Sequence, residues 1–311
     1  MKNARKLRFG GRSAALAALL AVAVLHLCYA QADGQKTFSS SREAVASLIQ
    51  AVREGNASDL RAILGPGSEE IISSSDPVAD KIERDHFLAA YDLKHSLAVS
   101  APQQLTLNVG EDGWPFPIPL VHWADKYYWD GTAGKEEILY RRIGNNELAA
   151  IDVCKGVVAA QRDYAASGHD GLPAGIYAQR LVSEPGKQNG LYWEVNAEEN
   201  PSPAGPLLAQ ASSEGYGGSG ARSPYHGYYY RLLKAQGNNA KGGTRSYIID
   251  GVMTGGFAVL AYPADYRSSG VMTFLVNENG MIYQKDLGEK TADIAEQMTE
   301  YNPDKSWKLL K

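Results

Sequence analysis

The chain has 311 residues, of which 44% are hydrophobic and 21% charged, enough apolar material for a sizeable core and too much for a disordered chain. A formal net charge of −4 and the lack of any long Lys/Arg run exclude the clustered basic face that nucleic-acid binding requires.

Residues 1–32 predict a secretory signal peptide. Lys2, Arg5, Lys6, Arg8 and Arg12 form a basic start, SAALAALLAVAVL an apolar stretch, and Ala30-Gln31-Ala32 a small-x-small cleavage site. The apolar run from Ala14 to Leu27 is shorter than the ~20 residues that span a bilayer, which argues against an uncleaved anchor. Leu27 stands before Cys28 where a lipobox wants a small residue. The expectation is an exported protein of a Gram-negative periplasm or cell envelope, with no transmembrane segment after cleavage. Cys154 is then the sole remaining cysteine, and its helically spaced apolar neighbours Ile151, Val157 and Val158 favour a small buried hydrophobe over a nucleophile.

The first block, residues 37–134, begins with helices. Val45, Leu48, Ile49 and Val52 recur at helical spacing before a stop at Gly55-Asn56. A shorter helix over residues 58–64 closes at Gly65-Pro66-Gly67, and a third starts at Pro77 with Asp76 as its N-cap. After Pro102 the period changes to two: QLTLNV (104–109), a proline segment and KYYW (126–129) read as successive antiparallel strands. In WPFPIPLV the prolines at 115, 117 and 119 delete N–H donors along one edge only, so Phe116 to Val121 are expected to form a strand that pairs on one side. Helices followed by a meander define an α+β fold class. The element order resembles the cone-shaped nuclear transport factor 2 type.

The second block, residues 135–311, opens with a helical pattern to Ala166. Gly144 and Asn145-Asn146 predict a break, with the longer helix starting near Glu147. Residues 168–224 are rich in Gly, Pro, Ser and Asn and read as an irregular crossing segment. Three strand regions follow, YHGYYYRLLKAQG, GGFAVLAYPADY and GVMTFLVNENGMIYQKDLG, the last a hairpin turning at Asn279-Gly280. A long helix packed on a C-terminal antiparallel meander is similar to the globular part of type IV pilins. This helix lacks the apolar N-terminal half that anchors a pilin, and no prepilin cleavage signature precedes it.

WPFPIPLV, RRIGNNELAAID, YHGYYYRLLKAQG and GGFAVLAYPADYRSSGVMTFLVNENGMIYQKDLG occur in this order. Together they resemble a bacterial secreted family known as domain of unknown function 2950, over Thr37 to Trp307. The resemblance implies envelope or periplasmic localisation and brings no catalytic residues.

Chemistry-bearing motifs are sparse. His86, His95, His122, His169 and His226 show neither the i, i+4 spacing of a helical zinc pair nor a nearby Cys-x-x-Cys, so no metal and no cofactor is expected. GYGGSG (215–220) matches a dinucleotide fingerprint but lacks the preceding strand and following helix that give it meaning. No G-x-S-x-G elbow or phosphate-binding loop occurs. Asp80 and Arg84, at i, i+4, read as a solvated ion pair. Tyr228 and Tyr230 alternate as in a half-buried strand, or offer an aromatic surface to a partner or glycan. Two functions follow. One is a non-catalytic envelope protein that binds an envelope protein or glycan, or assembles. The other is a small-ligand binder or enzyme with a pocket in the first block lined by Asp80, Arg84, Tyr91, Trp114 and Trp123.

Overall fold

The computed structural model describes residues 34–194, 201–207, 211 and 223–310. The expected signal peptide and GYGGSG lie outside the described residues.

Local signals set the first helices. In α1 (Ser41–Glu54) the Ser40 side chain accepts from Glu43 N, and Gly55 closes the helix in the left-handed region at φ 61°. α2 (Ala57–Leu64) starts on Asn56, whose side chain accepts from Ser58 and Asp59 N–H groups. After the single turn α3 (Glu69–Ile72), α4 (Pro77–Leu93) begins with Pro77 in its first turn and Asp76 accepting from Ala79 N.

Five strands follow: β1 (His95–Ala101), β2 (Gln104–Val109), β3 (Trp114–Pro115), β4 (Leu120–Trp123) and β5 (Lys126–Trp129). They form an antiparallel sheet in the order β1-β2-β4-β5, with β3 also paired to β2. Register puts Leu120 opposite Trp129, and both are buried with Leu107 and Val109 against Phe38, Leu48 and Ile63. Trp129 sits at the centre of this core, where its indole N–H donates to Ala44 O at 3.1 Å.

The proline segment corrects the expectation of one continuous, one-edged strand. β2 pairs with β3 at Asn108↔Pro115 and with β4 at Leu105↔Leu120, so residues 116–119 bulge opposite 106–107. Pro117 and Pro119 have no N–H to carry the ladder through, and β4 has neighbours on both sides. The bulge turns Ile118 into the core and receives the next helix: a Cβ on Gly134 would lie 2.7 Å from Ile118 Cα.

That helix, α5 (Gly131–Ala166), runs unbroken for 36 residues. The break expected at Gly144–Asn146 does not occur. Asn146 is buried and its Nδ2 donates to Ser269 O at 2.8 Å, so its amide is held by a distant strand end instead of competing for the helix backbone. A glycine in a helix costs only ~1 kcal/mol, which tertiary contacts outweigh.

In the second block, β6 (Tyr228–Leu233) is followed by two small strand pairs, β7 (Ala235–Gln236) with β8 (Arg245–Ser246) and β9 (Ile248–Ile249) with β10 (Val252–Met253). β11 (Ala258–Pro263), β12 (Met272–Asn277), β13 (Ile282–Asp286) and β14 (Lys308–Leu309) complete an antiparallel sheet in the order β14-β13-β12-β11-β6. The β12–β13 turn places Gly280 at φ 79°. β11 is buried at every residue and is contacted by α5 and by α6 (Thr291–Gln297). The irregular stretch before β6 contributes Ala178, Leu191 and Trp193 to this core. Buried Gln161 binds it to α5, donating to Ala178 O at 2.8 Å and accepting from Ala178 N at 2.9 Å. The fold is α+β. Among the described residues no helix is long and apolar enough to cross a membrane.

Cys154 lies in this second core, fully buried, and burial pushes its thiol pKa up to about 12. A thiol reagent is therefore expected to label native protein slowly and denatured protein fast at neutral pH. Equal rates in the two states would contradict the burial.

Candidate functional site

A cavity of about 200 Å³ lies in the first core, beside the proline bulge. α1 and α2 supply Leu48, Val52, Leu60 and Leu64 to its lining, α3 supplies Ile71 and Ile72, and the bulge supplies Phe116 and Ile118. Phe87 packs on Phe116 at 5.1 Å between ring centroids, and Phe116 meets Trp129 edge-on at 5.8 Å. The polar part comes from two helices. α4 contributes Asp80, Glu83 and Arg84 at helical spacing, and α5 contributes Arg142 beside Ile138.

These charges are not equivalent. Asp80 is buried and accepts from Ser74 N at 2.8 Å, so the segment before α4 fixes its orientation. Arg142 donates to Glu70 O at 2.6 Å and Ile71 O at 3.2 Å, which ties α3 to α5. Burial lowers the Arg142 pKa, and the charges of Asp80, Glu83, Asp265 and Glu70 partly oppose that shift. Arg84, half-buried, makes no ion pair or hydrogen bond among the described residues. The expected Asp80–Arg84 pair is thus corrected: the i, i+4 pair of α4 is Lys81–Asp85 at 2.6 Å, and Asp80 is taken by backbone.

Of the residues singled out in the sequence, Asp80, Arg84 and Trp114 meet at this cavity. Trp114 closes one side with its ring under Arg141, whose guanidinium carbon lies 4.6 Å from the ring centroid. Tyr91 does not reach it. It stacks on His95 at 3.9 Å, and partial burial with Asp92 nearby raises its pKa. Trp123, 47% exposed, ends β4 away from the cavity. Tyr228 is fully buried and donates to Met272 O at 2.9 Å, which makes it a core residue and removes it from any contact surface. Tyr230 is half-buried, with its hydroxyl 3.3 Å from Tyr225 O.

The sequence reading missed Arg142, Phe87, Phe116 and Ile138. Arg142 gave no signal because it belongs to a helix assigned to the other block. Phe87 was legible in principle, one turn beyond Arg84 on the same helix.

Direct hydrogen bonds also join the start of α4 and the middle of α5 to the second block. Asp76 Oδ2 accepts from Gly227 N at 2.9 Å, and Glu147 Oε1 accepts from Val271 N and Met272 N at 3.0 and 2.9 Å. With Asn146–Ser269, these bonds bring RRIGNNELAAID, YHGYYYRLL and ADYRSSGVM to one junction. Among the described residues no group of His, Cys, Asp or Glu is placed to hold a metal ion.

Fold and site together define an α+β protein with a small apolar cavity walled on one side by charged helix residues. The chain belongs to the family described as Protein of unknown function (DUF2950), which matches residues 35–310. No curated protein and no solved structure matches it.

Proposed function

We propose that this is a non-catalytic, exported binding protein of the cell envelope that holds a small, largely apolar ligand with an anionic head in the first-core cavity. The observation that carries this reading is the pairing of an apolar lining with one guanidinium, Arg84, that has no partner among the described residues. A cavity on the order of 150 Å³ is enough for benzene, and drug-sized ligands begin near ~300 Å³, so the ligand is small. About 200 Å³ suits a single ring or a short acyl chain of roughly ten non-hydrogen atoms. Arg142 is held by Glu70 O and Ile71 O, which leaves Arg84 as the donor available to a carboxylate. Export rests on the n-region, apolar run and cleavage site at the start of the sequence. The non-catalytic reading rests on the lack of nucleophile and cofactor motifs in the sequence.

Calorimetric titration with octanoate and with octanol tests both parts. Wild type is expected to bind octanoate more tightly than octanol. Arg84→Ala is expected to weaken octanoate binding about tenfold, matching the ~1.5 kcal/mol of a charge-assisted hydrogen bond, and to leave octanol unchanged. Binding of neither probe would refute the cavity reading. Equal binding of both would refute the anionic head alone.

A further inference from the structure

We propose that a second cavity, at the C-terminal end of α5, binds a short neutral oligosaccharide. The cavity measures about 740 Å³. Small-molecule sites span ~300–1,000 Å³, so there is room for a chain of about two or three sugar rings.

The polar groups of its lining are unspent. The Asp163 carboxylate, the Ser167 and Ser202 hydroxyls and the Gln188 Nε2 amide make no hydrogen bond or ion pair among the described residues. Their chemistry selects the ligand. No Lys or Arg stands among the described lining residues, so an anion finds no counter-charge and meets Asp163 instead. A cation would use Asp163 but leave the Gln188 amide donor unanswered. A hydroxyl both donates and accepts, and so answers the whole set. Trp193 and the prolines at 201, 203 and 206 supply apolar wall for the C–H faces of a sugar ring.

The wall is also built before a ligand arrives. Gln188 N donates to both Asp170 carboxylate oxygens at 3.1 and 2.9 Å, and Gln188 O accepts from the Tyr164 hydroxyl at 2.6 Å. The Gln188 side-chain oxygen lies 3.3 Å from His169 Nδ1, which leaves Nε2 as its unused end. His169 and Trp193 pack at 5.4 Å between ring centroids, and both pack on Tyr164, at 4.1 and 6.4 Å. Such fixed groups lose little freedom on binding. Trp193 is 7% exposed, and its buried indole N–H has no acceptor among the described residues, so this wall is one partner short.

Calorimetric titration with maltotriose, cellotriose and chitotriose tests the proposal. Wild type is expected to bind at least one of them saturably, and glucose about tenfold more weakly or less. Asp163 and Ser167 are exposed and their side chains hold nothing among the described residues, so Asp163→Ala and Ser167→Ala should keep the wild-type thermal midpoint. Asp163→Ala is expected to weaken trisaccharide binding about tenfold or more, and Ser167→Ala about threefold. Arg84→Ala should leave trisaccharide affinity unchanged, so this site and the first cavity stand or fall separately. Binding of none of the three sugars, or of choline in their place, overturns the proposal. So does binding that Asp163→Ala does not weaken, or a lowered thermal midpoint in Asp163→Ala, which would make the carboxylate structural.

Discussion

Asp76→Ala is expected to lower the free energy of unfolding by about 2–4 kcal/mol. Asp76 is 2% exposed and spans two parts of the fold, with one carboxylate oxygen on Ala79 N and the other on Gly227 N. Alanine removes an N-cap worth ~1 kcal/mol and also strands the Gly227 N–H in a buried place, at ~1–3 kcal/mol. Asp76→Ser separates the two effects. Serine caps a helix about as well as aspartate but is too short to reach Gly227, so it should recover only the capping part. Urea melts of the three proteins provide the measurement. Wild-type stability in Asp76→Ser would mean that the link to Gly227 contributes nothing.

Gly270→Ala is expected to cost about 3 kcal/mol or more. A Cβ at this position would lie 2.2 Å from Tyr228 Oη and 2.6 Å from its Cζ. Tyr228 cannot give way, because it is fully buried, packs near Phe274 with centroids 5.9 Å apart, and donates to Met272 O. Overpacking of this kind costs ~1–3 kcal/mol, and displacing the hydroxyl from its acceptor adds ~1–3 kcal/mol more. Removing the clashing oxygen in Gly270→Ala with Tyr228→Phe should recover part of the loss, less than all of it because Cζ still crowds the methyl. Strict additivity of the two single changes in urea melts would contradict a direct contact.

The elements that were legible in the sequence are those that local chemistry specifies. α1 ends at the stop read at Gly55, α4 begins on the cap read at Asp76, and β2 and β5 coincide with QLTLNV and KYYW. The misread fold features share one cause, a pairing that the local pattern does not encode. The prolines show which donors are missing, but not that β2 changes partner between Pro115 and Leu120. Asn146 looked like a breaker because its acceptor, Ser269 O, lies 123 positions away. At the cavity, Asp80, Arg84 and Trp114 stood out by residue type, yet their roles did not. Ser74 N claims Asp80, and that bond detaches Arg84 from the pair its spacing suggested.

The most direct measurement is solution NMR of protein carrying ¹³C-methyl isoleucine, titrated with octanoate. The cavity is lined by Ile71, Ile72, Ile118 and Ile138, whereas Ile151 and Ile282 belong to the second core. Saturable shifts are expected at the first four methyls, with Ile151 and Ile282 unmoved. A titration that leaves those four methyls in place, or moves only the second-core isoleucines, would contradict a ligand site in this cavity.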